Sequence, residues 1–243
     1  MHVKNIKEDK LSRIFLCFSV ISYSVIFIRA LIGAHESGSI GSYRIILLQS
    51  AFGIFIAYLP FLLAKHARWL IPTPFYLLFL AFLWCAIFLG EGFGFYYKIP
   101  LWDDTLHFLS GMMAAALGFS LTDMILSQKN SEKAYTPPPL IYALFSLYFA
   151  AFIGVLWEFY EFAFDGILGL NMQKFAAPDK DGVMRELVGR EALRDTVTDL
   201  LTDTAGGGII SLLGFLSLKR NKGLTSLFVV KINPRQNKIE DNP

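Results

Sequence analysis

The sequence predicts an all-α protein, a polytopic transmembrane bundle of about six helices. Three observations carry that prediction. Of the 243 residues, 54% are hydrophobic and only 17% are charged, whereas a soluble domain carries roughly a quarter of charged residues. The apolar residues fall in long blocks, and the charges gather mainly between the blocks. No run of alternating apolar and polar residues marks barrel strands. Helices and closed barrels are the structures that satisfy their own backbone inside a bilayer, so helices remain.

Six blocks, at 11–32, 43–63, 75–95, 102–126, 140–164 and 195–218, each supply roughly the 20 residues that a hydrocarbon core of about 30 Å requires. The first is longer than the apolar core of a secretory signal and contains Arg29, so it is read as an uncleaved helix. Fourteen of the 22 Lys and Arg residues lie on the side of the N-terminus. That bias places both termini in the cytoplasm of a multi-pass cell-membrane protein. Residues 1–10 then form a cytoplasmic segment, 11–218 the membrane domain, and 219–243 a basic cytoplasmic tail. The tail is expected to be disordered or to lie against anionic headgroups.

The extracytoplasmic loop, about 165–194, is rich in acids. Within it Val183, Met184, Leu187 and Val188 stand at near-helical spacing. Either a short helix on the membrane surface or a plain solvated loop fits that spacing. Pro137, Pro138 and Pro139 form a stiff entry to the fifth span. Cys17 and Cys85 both fall in apolar blocks and are expected to be buried thiols, without a disulfide framework. The net charge of +2 says little about partners, and no basic tract interleaved with aromatics points to nucleic acid, so none is expected. The partner that the composition does imply is the lipid bilayer.

Acids and a histidine gather at one end of four spans. Glu91 closes the third. Asp103, Asp104 and His107 open the fourth, in WDDTLHFLSG. Glu158, Glu161 and Asp165 close the fifth, in WEFYEFAFD, and Asp195, Asp199 and Asp203 open the sixth, in DTVTDLLTDTAGGG. Steps of three and four residues keep each set on one helical stripe. At 1.5 Å per residue, His107, Glu158 and Asp199 all come out roughly 27–28 Å from the inner boundary, and Glu91, Asp203 and Arg29 at about 22–24 Å. Antiparallel spans thus bring these groups to one level.

A charge at the bilayer centre costs about 2.5–3.5 kcal/mol, and less near an interface. The carboxylates must therefore share protons, pair with a cation or face water. Arg29 is one candidate counter-ion, and a divalent metal is another, because Asp, Glu and His are its usual ligands. Asp103 and Asp195 read first as helix caps, and Asp165 and Glu91 as headgroup-level acids. The candidate catalytic set is His107, Glu158, Glu161, Asp199 and Asp203, and the candidate metal set adds Asp104. Ser110, Gly111, Gly206, Gly207 and Gly208 permit close helix approach. Three glycines in a row also weaken a helix, so a local break is expected as an alternative.

The segments WDDTLHFLSGMMAAALGF, WEFYEF and DTVTDLLTDTAGGG resemble the YjdF-like inner-membrane proteins of bacteria. The skeleton is also similar to VanZ-like proteins, whose pattern runs Asp-x-x-His-Phe, then Glu-x-x-Gln, then Asp-x-x-x-Asn-x-x-Gly. Those places are taken here by Asp104, His107 and Phe108, by Glu158 and Glu161, and by Asp199, Asp203 and Gly206. Glu161 stands where that pattern has Gln, and Asp203 where it has Asn. Both departures add a carboxylate and favour a cation. The resemblance spans residues 93–214 and implies a cell-envelope setting.

Three functions are compatible with the sequence. One is a metal-dependent or acid–base enzyme acting on a lipid or lipid-linked substrate. The second is a proton-coupled permease built on a carboxylate relay. The third is a non-catalytic protein whose ion pairs hold the bundle together. The sequence has no internal repeat of the kind many transporters carry, and its polar groups favour one face.

Overall fold

The computed structural model describes residues 6, 9–66, 69–126, 137–220 and 223–232. Among the described residues seven α-helices carry the fold: α1 (Lys10–Ser37), α2 (Arg44–His66), α3 (Thr73–Leu83), a short α4 (Phe95–Lys98), α5 (Trp102–Leu126), α6 (Pro139–Leu168) and α7 (Arg194–Lys219). A π-helical stretch, Trp84–Gly92, prolongs α3. Six of these segments are long and apolar enough to cross a membrane. They coincide with the six blocks of the sequence, the first and fifth spans running longer at their C-terminal ends. The π-helical stretch and α4 are the departures that hydropathy could not reveal.

Helix ends follow local chemistry. Asp9 caps α1, its carboxylate accepting the Ser12 backbone N–H at 2.8 Å, and Gly38 closes it in the left-handed conformation, φ 64°. Proline opens α3 and α6, where a missing N–H costs nothing. Gly169, φ 63°, ends α6. With 30 residues, α6 is about 45 Å long. That length exceeds a hydrocarbon core of about 30 Å, so an end of α6 reaches headgroup level.

Two packing regimes divide the bundle. Helices α1, α2 and α3 meet around Tyr23, Tyr76, Leu80 and Ile87, with the Tyr76 hydroxyl donating to the Ala57 carbonyl at 2.8 Å. Helices α5, α6 and α7 pack chiefly on one another, around Ala114, Ala115 and Ala150. In lipid no hydrophobic force draws helices together, so small residues that let backbones approach decide the contact. Large apolar side chains such as Phe52, Phe159 and Ile167 are turned outward, as a bilayer solvent requires.

The structure corrects several expectations. The three glycines do not interrupt α7, which runs unbroken from Arg194 to Lys219; packing against α5 and α6 offsets their intrinsic cost. Cys85 is half-buried, but Cys17 is exposed on α1, because an apolar block has a lipid-facing side as well as a core side. The segment 183–188 is not a surface helix. Met184–Glu186 is a strand, β3, paired antiparallel with β2, Ala176–Pro178. Turn chemistry overrides the helical spacing. Asp179 accepts the backbone N–H groups of Asp181 and Val183 at 2.9 and 3.0 Å, and Gly182 adopts φ 78°. These backbone bonds and Arg185 hold the Asp179 carboxyl below its usual range. Gly182→Val forces a β-branched residue into that left-handed position and should destabilise the hairpin by about 1–2 kcal/mol. Faster amide exchange at Val183 and Leu187, with the helices unaffected, is the expected readout.

Part of the tail is ordered. Residues 223–232 return to the bundle, where Val229 and Val230 are buried. The Val230 N–H donates to the Ser120 hydroxyl at 2.9 Å. Strand β4 (Lys231–Ile232) pairs antiparallel with β1 (Trp69–Leu70). The run Leu227–Val230 is apolar, which the basic residues around it obscured. Residues 1–5, 7–8 and 233–243, on which most of the terminal expectations fall, lie outside the described residues.

Candidate functional site

The site sits where α5 begins, α6 ends and α7 begins. Each helix turns its acidic stripe inward: His107 on α5, Glu158, Glu161 and Asp165 on α6, and Asp199 and Asp203 on α7 are all buried. Glycines bring the backbones close enough for this. A Cβ on Gly111 would collide with the Asp203 backbone, and one on Gly206 with the Phe108 carbonyl. Gly154 of α6 faces the Asp203 carboxylate.

His107 is the hub. Its Nδ1 lies 3.2 Å from Asp203 Oδ2. Its Nε2 lies 3.6 Å from Asp199 Oδ2 and 3.9 Å from Asp103 Oδ1. Asp203 is fixed in turn by the Ser110 hydroxyl, which donates to its Oδ1. A carboxylate on one ring nitrogen orients a histidine. Nε2 then points toward Asp103 and Asp199. One ligand atom from each of Asp103, His107 and Asp199 lies within 4.8 Å of the other two, a group able to hold a metal ion.

Asp199 is the least satisfied member. It is 1% exposed, and neither of its carboxylate oxygens has a hydrogen-bond partner among the described residues. Buried polar groups are ordinarily paired, and a buried unpaired charge is costly. Glu158 and Glu161 are each half satisfied. Glu158 Oε2 accepts Gln173 Nε2 at 2.9 Å, and Glu161 Oε1 accepts Trp157 Nε1 at 2.8 Å. The remaining oxygen of each is buried without a hydrogen-bond partner among the described residues.

The structure sorts the residues singled out from the sequence. His107, Asp199 and Asp203 are brought into contact, with Asp203 behind the imidazole ring. Asp103, one turn from His107, takes the place in the triad that the sequence pattern offered to Asp104. Asp104 lines an adjacent cleft of about 270 Å³. Glu158 and Glu161 stand outside the triad, on the third helix. Asp165 is used locally: its carboxylate accepts the backbone N–H groups of Met172 and Gln173 at 2.7 and 3.0 Å. Glu91 meets Gln49 at 3.5 Å on the π-helical stretch.

Arg29 is not the counter-ion. It is exposed on α1, and no ion pair links it to the cluster among the described residues. Lys174 takes that role, its ammonium contacting Asp103 Oδ2 and lying 2.9 Å from Asp195 Oδ1. No hydropathy or spacing rule marks a lysine in a loop. The signal that points to it is the excess of acids, which demands a cation from somewhere.

A family model described as "Predicted membrane protein (DUF2238)" matches residues 15–220. No curated protein and no solved structure matches the chain.

Proposed function

We propose that this chain, which belongs to the DUF2238 family of predicted membrane proteins, binds a divalent metal ion at Asp103, His107 and Asp199 and applies it to a polar headgroup of a lipid or lipid-linked envelope substrate. The observation that carries this reading is Asp199: a carboxylate 1% exposed, neither oxygen hydrogen-bonded among the described residues, with the His107 imidazole 3.6 Å away. A buried carboxylate so weakly satisfied among further acids suits a cation.

Two carboxylates and one imidazole leave coordination positions open, as catalytic sites do. Asp203 is the orienting carboxylate behind the histidine. A metal here would polarise a bound ester or activate a water. Glu158 and Glu161, buried nearby and each with one oxygen lacking a hydrogen-bond partner among the described residues, suit proton transfer. The adjacent cleft is edged by Tyr97, Trp102 and Lys174, and aromatic residues of that kind sit well at headgroup level. Positive charge on the opposite side of the bundle favours an extracytoplasmic location for the site.

Packing below the site favours a one-faced enzyme over a permease. Beneath Asp203, Gly207 and Ala150 close on each other, with Ala114 and Ala115 alongside. That layer is apolar and closely packed.

The test is metal content. The full chain, purified in detergent, should carry or take up one divalent ion per chain. His107→Ala should abolish this while the protein keeps its helical circular dichroism. A folded parent that binds no Mn²⁺, Zn²⁺ or Mg²⁺ at millimolar concentration would reject the reading.

A further inference from the structure

Lys174 is delivered to the site by a turn built for that purpose. Asp165, at the end of α6, accepts the backbone N–H groups of Met172 and Gln173. Asn171 brackets the turn, with Nδ2 donating to the Ala176 carbonyl and Oδ1 accepting the Ala176 N–H, both at 2.9 Å. Lys174 itself adopts φ 47°, a left-handed conformation that non-glycine residues enter at a cost. Two adjacent side chains enter the cluster from this turn: Gln173 reaches Glu158 and Thr196, and Lys174 reaches Asp103 and Asp195.

The two oxygens of Asp103 face different groups. Oδ1 faces His107 Nε2, and Asp103 belongs to the metal triad. Oδ2 is held by the Lys174 ammonium. A carboxylate shared in this way between two positive centres is the arrangement of a two-metal site, with a lysine in one of the two positions. Asp195 completes the second position. Its Oδ1 contacts Lys174, and its Oδ2 is buried without a partner among the described residues.

We infer that Lys174 is a tethered cation occupying the second position of a potential two-metal centre, so that the protein takes one divalent ion where the carboxylates alone would take two. This rests on the metal reading above. The Lys174 ammonium is held in this position by ion pairs to both Asp103 and Asp195. A flexible ion in the second position could be lost or exchanged, whereas a covalently tethered one cannot.

The experiment is Mn²⁺ titration of the full chain in detergent, followed by electron paramagnetic resonance. The parent should bind one Mn²⁺ with an isolated-ion spectrum. Lys174→Ala and Lys174→Gln should each bind two, with the spectrum of a coupled pair, and Lys174→Arg should bind one. Adding Asp195→Asn to Lys174→Ala should return the count to one. A parent with one ion and folded Lys174→Ala and Lys174→Gln proteins that also bind one, at parental affinity, would overturn the inference and leave the metal reading intact. A parent that binds none would overturn both.

Discussion

Asp199→Asn is expected to fold more stably than the parent without metal, and to bind metal on the order of a hundredfold more weakly. The two effects share a cause. In the metal-free protein Asp199 is a fully buried carboxylate whose oxygens accept no hydrogen bond among the described residues, and it lies in a cluster that also holds Asp103, Asp195 and Asp203. Leaving a buried polar group unsatisfied costs about 1–3 kcal/mol. An amide of the same shape removes the charge repulsion and supplies two donors for the surrounding carboxylates. Metal reverses the sign, because a neutral amide oxygen is a poor substitute for an anionic ligand. Thermal denaturation in detergent, with chelator and with saturating Mn²⁺, separates the two. The parent should gain stability on adding metal, by about 2.7 kcal/mol when the free ion is a hundredfold above its dissociation constant. The variant should gain little. A variant less stable than the parent in chelator would show that Asp199 is satisfied by something else.

Gly206→Val should destabilise the bundle by about 3 kcal/mol and disable the site with it. The Cβ built at Gly206 falls on the carbonyl of Phe108, on the backbone of α5, one residue beyond His107. A backbone cannot swing away as a side chain can, so α5 and α7 must separate. Gly111, one turn along α5, meets the Asp203 backbone in the same way. Separation would pull Asp199 and Asp203 from His107. Gly208→Ala supplies the control. Its Cβ meets only a Leu147 side-chain carbon at 4.0 Å, and alanine favours helix over glycine by roughly 0.5–1 kcal/mol, so that variant should match or exceed the parent. Equal melting of the Gly206 and Gly208 variants would show that the three-helix contact is looser than described.

Much of this architecture was legible in the residues, for a physical reason. A bilayer imposes one length and one mode of backbone satisfaction on every span, so hydropathy alone located six helices. The gathering of His107, Glu158 and Asp199 toward one end of the bundle was legible too, because helical rise converts position into depth. What depended on rotation or on loops was not. Asp103 and Asp104 are both within one turn of His107, and only packing against α7 decides which faces it. Lys174 reaches the site through a turn held by Asp165 and Asn171, contacts that no periodicity encodes. The hairpin at 176–186 was hidden by a helical pattern of apolar residues whose turn signal, Asp179 to Gly182, was the stronger determinant. Arg29 has the right depth and the wrong azimuth: it is on the outward side of α1.

The pairing of β1 with β4 joins residues 69–70 to residues 231–232, tying the second interhelical connection to the end of the described chain. The stretch between the second and third membrane crossings and the stretch after the last must therefore share one side of the membrane, whichever side that is. It also sets an order on biogenesis. The first helices can enter the bilayer as they are made, but this latch between the two halves of the bundle cannot close until residue 232 has emerged from the ribosome. Until then Trp69 and Leu70 wait as an unclaimed edge at the membrane surface.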